Sequence, residues 1–177
     1  KGIINAHEHI QSEDQIQRYL KVMKQQGIEK TLVLGSPQET FKKTDKHIFE
    51  GYDQNNREML AAAKKYPKQF WVFPTLDTKD PQKLKKLKEY AALGAKGLKL
   101  YSGHTYFYDK PLDDPGMALV YQFCEVNRLP ILLHVNAGYY QEEFERVLKQ
   151  YPKLRVICPH FCLSSIKEER FRHLMDH

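Results

Sequence analysis

Side chains two apart on a β-strand share a face, so a His-x-His pair at a strand end sets two imidazoles side by side. The stretch Ile3-Ile4-Asn5-Ala6-His7-Glu8-His9 starts apolar and reads as such a strand, with Asn5, His7 and His9 expected on one side and Ala6 and Glu8 on the other. Two imidazoles so placed can share a divalent ion, and a bound ion turns water into a nucleophile. Two exposed polar residues at a strand end would look the same, so the reading rests on matching residues downstream. His134 closes Ile131-Leu132-Leu133-His134, and His160 closes Val156-Ile157-Cys158-Pro159-His160. Each stands where an apolar run hands over to a loop, as His7 and His9 do, and the set supports a metal or proton-transfer site.

Those histidines meet only if the runs between them are strands laid side by side. Ser12 and Gln15 predict a capping box, and Ile16, Tyr19, Leu20 and Met23 a helix ending at Gly27. Thr31 to Leu34 reads as a second strand, followed by a polar loop from Gly35 to Lys46 and a helix from about Asn55 to Tyr66, stopped by Pro67. Phe70 to Pro74 is a third strand, and Asp80-Pro81 an N-cap with proline at the first helical position of a helix reaching Gly94. Lys96 to Tyr101, Ile131 to Val135 and Leu154 to Cys158 complete six strands. The helices between them start at Asp114-Pro115 and at Glu142, and a last one follows Ser164-Ser165. Nearly continuous apolar strands separated by helices predict an α/β fold with parallel strands in sequential order. A doubly wound open sheet would scatter the strand ends. An eight-stranded TIM barrel places its first and fifth strands across one mouth, with the sixth beside the fifth, so the four imidazoles converge there.

Alternation turns Gly97, Lys99 and Tyr101 to the barrel axis and Leu98 and Leu100 to the helices. An inward lysine is costly without a partner. Lys99 would hold a substrate carboxylate, carry a carbamate between two metals, or snorkel to solvent. The loop Ser102-Gly103-His104-Thr105-Tyr106-Phe107-Tyr108 either walls a substrate pocket or packs on its own aromatic rings. Lys99, Tyr101 and His104 are the candidate substrate-binding residues. Cys158, His160 and Cys162 carry little weight as a thiolate metal site, because Cys158 is expected to fill a core layer. His47, His173 and His177 read as surface.

With 177 residues, 41% of them hydrophobic, the chain suffices for one domain with a sizeable core. The net charge of +6 comes from lysines scattered over outward helix faces, and no basic run interleaved with aromatics marks a path for nucleic acid. No run approaches the ~18 apolar residues of a membrane span. Three cysteines in or near apolar runs suggest reduced thiols and a cytoplasmic protein. The expected partner is a small-molecule substrate, with a homo-oligomer left open.

Four stretches resemble the amidohydrolase superfamily, in its amidohydrolase-related branch of metal-dependent (β/α)8-barrel hydrolases and decarboxylases, also called aminocarboxymuconate-semialdehyde-decarboxylase-like. They are Ile4-Asn5-Ala6-His7-Glu8-His9, Leu93-Gly94-Ala95-Lys96-Gly97-Leu98-Lys99-Leu100, Leu129-Pro130-Ile131-Leu132-Leu133-His134, and Tyr151-Pro152-Lys153-Leu154-Arg155-Val156-Ile157-Cys158-Pro159-His160, in the family's order. The resemblance implies that His7, His9 and His134 ligate a divalent ion, zinc first and manganese second. It makes His160 a second metal ligand or the residue that holds the reacting oxygen, and with one metal already supplied a catalytic oxyanion-binding role is expected. Asn5 stands where many members carry Asp, and the family's eighth-strand aspartate has no counterpart. The expectation is a single barrel domain over 1–177 without strands seven and eight, cut from a longer polypeptide. The implied activity is hydrolysis of an amide, lactone or ester. Its rivals are non-oxidative decarboxylation of an aromatic or unsaturated acid and a catalytically silent barrel used as a binding module.

Overall fold

The computed structural model describes residues 2–37, 49–105 and 107–163. His47, His173, His177, the expected last helix and most of the loop after Gly35 lie outside these residues. The chain forms two compact units, Lys1–Lys99 and Leu100–His177.

In the first unit β1 (Ile3–His9), β2 (Ile28–Leu34) and β3 (Phe70–Phe73) pair in parallel in that order, with α1 (Glu13–Gln26), α2 (Tyr52–Lys65) and α3 (Lys83–Ala92) following them in turn. The strand order is sequential, as in a barrel and unlike a doubly wound sheet. β4 (Leu98–Gly103) starts beside β3, with a parallel bridge between Thr75 and Lys99 and a bond from Lys99 N–H to Pro74 O of 2.8 Å. Ser12 caps α1 by accepting from Gln15 N–H, and Gly27 ends it at φ 67°, a left-handed turn that glycine adopts at no steric cost. The Gln15 amide reaches back to Gln11 N–H, one residue before the expected partner.

In the first unit two helices start elsewhere than the sequence suggests. α2 begins at Tyr52, whose hydroxyl donates to Asp80 at 2.6 Å and so ties the first turn down. α3 begins at Lys83: Asp80 does accept from Gln82 N–H, but its other oxygen serves Tyr52 and Lys86. The buried stripe of α2 is Tyr52, Asn55, Asn56, Met59 and Leu60, so two amides occupy core positions. Asn55 accepts from Ser36 N–H at 2.9 Å and donates to Ile10 O at 3.0 Å. Asn56 accepts from Thr75 N–H at 2.9 Å and donates to Thr75 O at 2.8 Å. The pair thereby satisfies backbone groups just beyond the C-terminal ends of β1, β2 and β3. Gly35 is forced by the same packing, since a Cβ there would lie 2.2 Å from Asn56 Oδ1.

In the second unit the sheet order is β4, β5 (Ile131–Val135), β6 (Val156–Ile157). Asp114 caps a 3-10 turn, Pro115–Met117, that leads into α4 (Ala118–Val126), with proline at the expected first position. α5 (Ala137–Gln150) starts five residues before Glu142 and bends at Tyr140, which stacks on Tyr108. β6 is only two residues long, and the chain then makes a 3-10 turn, Pro159–Leu163. Pro159 has no N–H for a ladder and His160 takes φ 55°, so the strand cannot run on to His160. The turn brings Cys162 back to Cys158, Cα atoms 5.0 Å apart, in a disulfide. This corrects the expectation of three reduced thiols and of Cys158 as a core filler. Cys124 is the free thiol, buried, and burial pushes its pKa up to about 12. Among the described residues no helix is long and apolar enough to cross a membrane.

Lys99 is fully buried and does not snorkel to solvent, and burial pushes its amine down to about 7.

Two stability outcomes follow. Asn56→Ala leaves Thr75 N–H and C=O buried without their partner and is expected to cost about 2–4 kcal/mol in urea unfolding, against under ~0.5 for exposed Lys64→Ala. A loss below ~1 would mean that the strand end finds other partners. For Lys99 the folded value lies below the unfolded value of 10.5, so between about 7 and 10.5 the unfolded chain binds more protons and stability rises with pH. Below that window both states hold the proton and the rise ends. Lys99→Met is expected to add about 2 kcal/mol at pH 7 and to flatten the rise, read as melting temperature from pH 6 to 10.

Candidate metal centre

The first histidine pair lies at an irregular part of β1. Asn5 is opposite Thr31 and Glu8 opposite Val33, so β1 advances three residues while β2 advances two. The extra residue is a bulge, and it breaks the strict alternation expected for the strand. Asn5 and Glu8, expected on opposite faces, are bonded to each other at 3.1 Å. The Asn5 amide also donates to Tyr19 of α1 at 2.6 Å, which ties it to the helix layer. Asn5 and Glu8 accept in turn from the backbone N–H groups of His7 and His9, each at 3.1 Å.

His7 and His9 still face one another. Their Nε2 atoms are 3.1 Å apart, and the rings meet edge to face with centroids at 5.1 Å. Two nitrogens each 2.0–2.1 Å from one ion are about 2.9–3.4 Å apart at bond angles between a right angle and the tetrahedral angle. The pair therefore fits two coordination positions of one divalent ion. His9 Nδ1 is 2.6 Å from Ser36 Oγ, which fixes the ring from behind. Among the described residues no group of three or more His, Cys, Asp or Glu is arranged to hold an ion.

Beside Ser36 opens a cavity of about 480 Å³, walled by Gln11, Ser12, Gln15, Gln54, Asn55 and Glu58. That volume suits a small organic molecule. Ser36 and Asn55 were not among the sequence candidates. Their signal was two adjacent amides at core positions of an otherwise amphipathic helix, which exposed helices do not need.

The second unit gathers three other candidates. His134, half-buried at the end of β5, has the His104 ring at 4.3 Å and the His160 ring at 5.4 Å. Gly103 permits this, since a Cβ there would lie 2.6 Å from Val135 Cα and 2.8 Å from His134 O. His160 is exposed and sits in the 3-10 turn rather than at a strand end. Tyr101 is buried, with Phe107 at 5.2 Å; Phe107 also meets His104 at 5.4 Å, and Phe107 and Tyr108 N–H both bond His104 O. The loop after β4 is thus packed on its own rings. Lys99 lies at the start of β4 in the first unit.

Solved structures share this arrangement of strands and helices. An uncharacterized TIM-barrel protein from Bordetella bronchiseptica matches with a TM-score of 0.68 at 23% identity, over 91% of this chain and 56% of its own. A 2,6-dihydroxybenzoate decarboxylase from Rhizobium gives 0.64 at 17%, over 93% and 68%. A 5-carboxyvanillate decarboxylase from Novosphingobium aromaticivorans, with bound manganese, gives 0.62 at 15%, over 91% and 66%. The chain thus spans little more than half of the first protein and about two thirds of the other two. No curated protein matches the chain in sequence. The fold is an α/β fold of the TIM-barrel type, present as about six parallel strand-helix units. The family described as Amidohydrolase matches residues 4–177, a span that takes in both groups of histidines, and the chain belongs to that amidohydrolase family.

Proposed function

We propose that the chain is part of a metal-dependent hydrolase in which His7 and His9 hold a divalent ion, zinc or manganese, and water attacks an amide, lactone or ester carbonyl. The observation that carries this reading is the 3.1 Å between the two Nε2 atoms, with His9 anchored by Ser36. The resemblance adds His134 as a further ligand, and both units are read as one hydrolase domain. A bound ion supplies a water whose pKa falls towards about 7 and polarises the carbonyl under attack.

The chain's own groups divide the remaining work. His160, exposed and beside His134, donates a hydrogen bond to the oxygen that gains charge. Tyr101 and His104 orient the substrate. The cavity beside Ser36 supports a small-molecule substrate. A second reading, non-oxidative decarboxylation of an aromatic or unsaturated acid, is favoured by decarboxylases among the similar folds.

Metal analysis after dialysis is expected to find zinc or manganese in the protein and to find it depleted in His7→Asn and His9→Asn. A chain that holds no metal would be the silent binding module instead. Acid release from a panel of esters, lactones and amides, run beside CO2 release from hydroxybenzoates, separates the two chemistries; CO2 alone would replace hydrolysis with decarboxylation. His160→Asn is expected to keep its metal while turnover falls ~10² to 10³-fold. Loss of a second metal equivalent in that variant would make His160 a ligand and Lys99 the candidate carbamate bridge.

A further inference from the structure

The ring nitrogen that His9 offers to a metal depends on which nitrogen carries its proton, and atoms outside β1 set that choice. His9 Nδ1 faces Ser36 Oγ at 2.6 Å. The Ser36 hydroxyl has one proton, and it donates to Leu34 O at 3.3 Å. Where Leu34 O takes that proton, Oγ meets His9 as an acceptor and the hydrogen in the 2.6 Å contact is the one on Nδ1. A neutral imidazole protonated at Nδ1 keeps its lone pair at Nε2, the atom turned towards His7 Nε2.

Ser36 cannot drift from this position. It is 1% exposed, and its N–H is held by Asn55 Oδ1 at 2.9 Å. The same amide holds Ile10 O at 3.0 Å, the carbonyl of the residue after His9. Asn55 therefore fixes the histidine and the serine to one another through the backbone on both sides.

We propose that Ser36, clamped by Asn55, is a positioning residue that holds His9 in its Nδ1–H tautomer and so presents Nε2 to a divalent ion. The inference rests on the metal reading of the His7–His9 pair, and it assigns to Ser36 a task that neither the pair nor the family match supplies. Groups that hold the far nitrogen of a ligating histidine typically change metal affinity by ~10 to 100-fold.

The clamp makes the test clean, because Asn55 binds the backbone of Ser36 and not its side chain. Ser36→Ala removes the acceptor and keeps the clamp, whereas Ser36→Thr restores the hydroxyl, its methyl group having the adjoining cavity to enter. The full chain is used, with Zn2+ alone as the probe. Three readouts are taken: Zn2+ affinity by calorimetry, the melting temperature of the metal-free protein, and the His9 tautomer by 15N NMR of the metal-free protein.

Wild type is expected to show His9 as Nδ1–H. Ser36→Ala is expected to weaken Zn2+ by ~10 to 100-fold, to shift His9 towards Nε2–H and to leave the metal-free melting temperature nearly unchanged; Ser36→Thr should recover the first two. A wild-type His9 already protonated at Nε2 overturns the proposal, as does a Ser36→Ala variant with wild-type affinity and tautomer. If Ser36→Ala does not fold, the wild-type spectrum and Ser36→Thr still decide it. Failure of the underlying metal reading has a different signature: wild type and His9→Asn then bind Zn2+ alike, while the tautomer measurement still judges the role of Ser36.

Discussion

A parallel strand that stops leaves N–H and C=O groups pointing at the loops that follow it, and in the first unit two adjacent side chains take up that burden. Asn55 and Asn56 stand at buried positions of α2 and bond the backbone at Ile10, Ser36 and Thr75, each group lying just past a strand end. An unpaired buried amide or carbonyl costs about 1–3 kcal/mol, so three such ends could not be buried together without a partner of this kind. Everything proposed for His9 depends on it, because Ser36 meets the imidazole only while its own backbone is held. The close approach that excludes a side chain at Gly35 belongs to the same packing.

The second unit solves a related problem without amides. Gly103 lets β4 pass close to His134 and Val135, and Asn136 N–H bonds Gly103 O at 2.9 Å. The His134 ring meets that of His104 at a tilt and that of His160 edge-on. The turn carrying His160 is closed by the disulfide rather than by strand pairing. The disulfide joins the residues two before and two after the exposed His160, so the turn that carries the imidazole is covalently closed.

Much of this fold was legible because its signals are local. Apolar runs such as Ile131 to Val135, the caps at Ser12 and Asp114, and Gly27 after α1 each act over a few residues, and the structure has them where the sequence put them. What the sequence concealed depends on contacts between distant segments. The bulge in β1 is defined only against β2, so the pairing of Asn5 with Glu8 could not be seen from alternation alone. The short β6 reflects Pro159 and a left-handed His160, and the proline was visible while the backbone angle was not. The His-x-His pair was read from spacing, yet the serine behind it lies 27 residues away along the chain. The amides of α2 sat in plain view as polar residues on an apolar stripe.

The burial of Lys99 makes one amine a reporter of the fold's own motion. Acylating reagents attack the unprotonated amine, and lysines on the surface hold their protons near neutral pH but meet the reagent freely. Lys99 has the opposite combination, a proton easily lost and no path for the reagent, since it is 0% exposed. Its modification must therefore wait for β4 to open, which also returns the amine to water and to its ordinary protonation, so protection at this one position reports the closed fold.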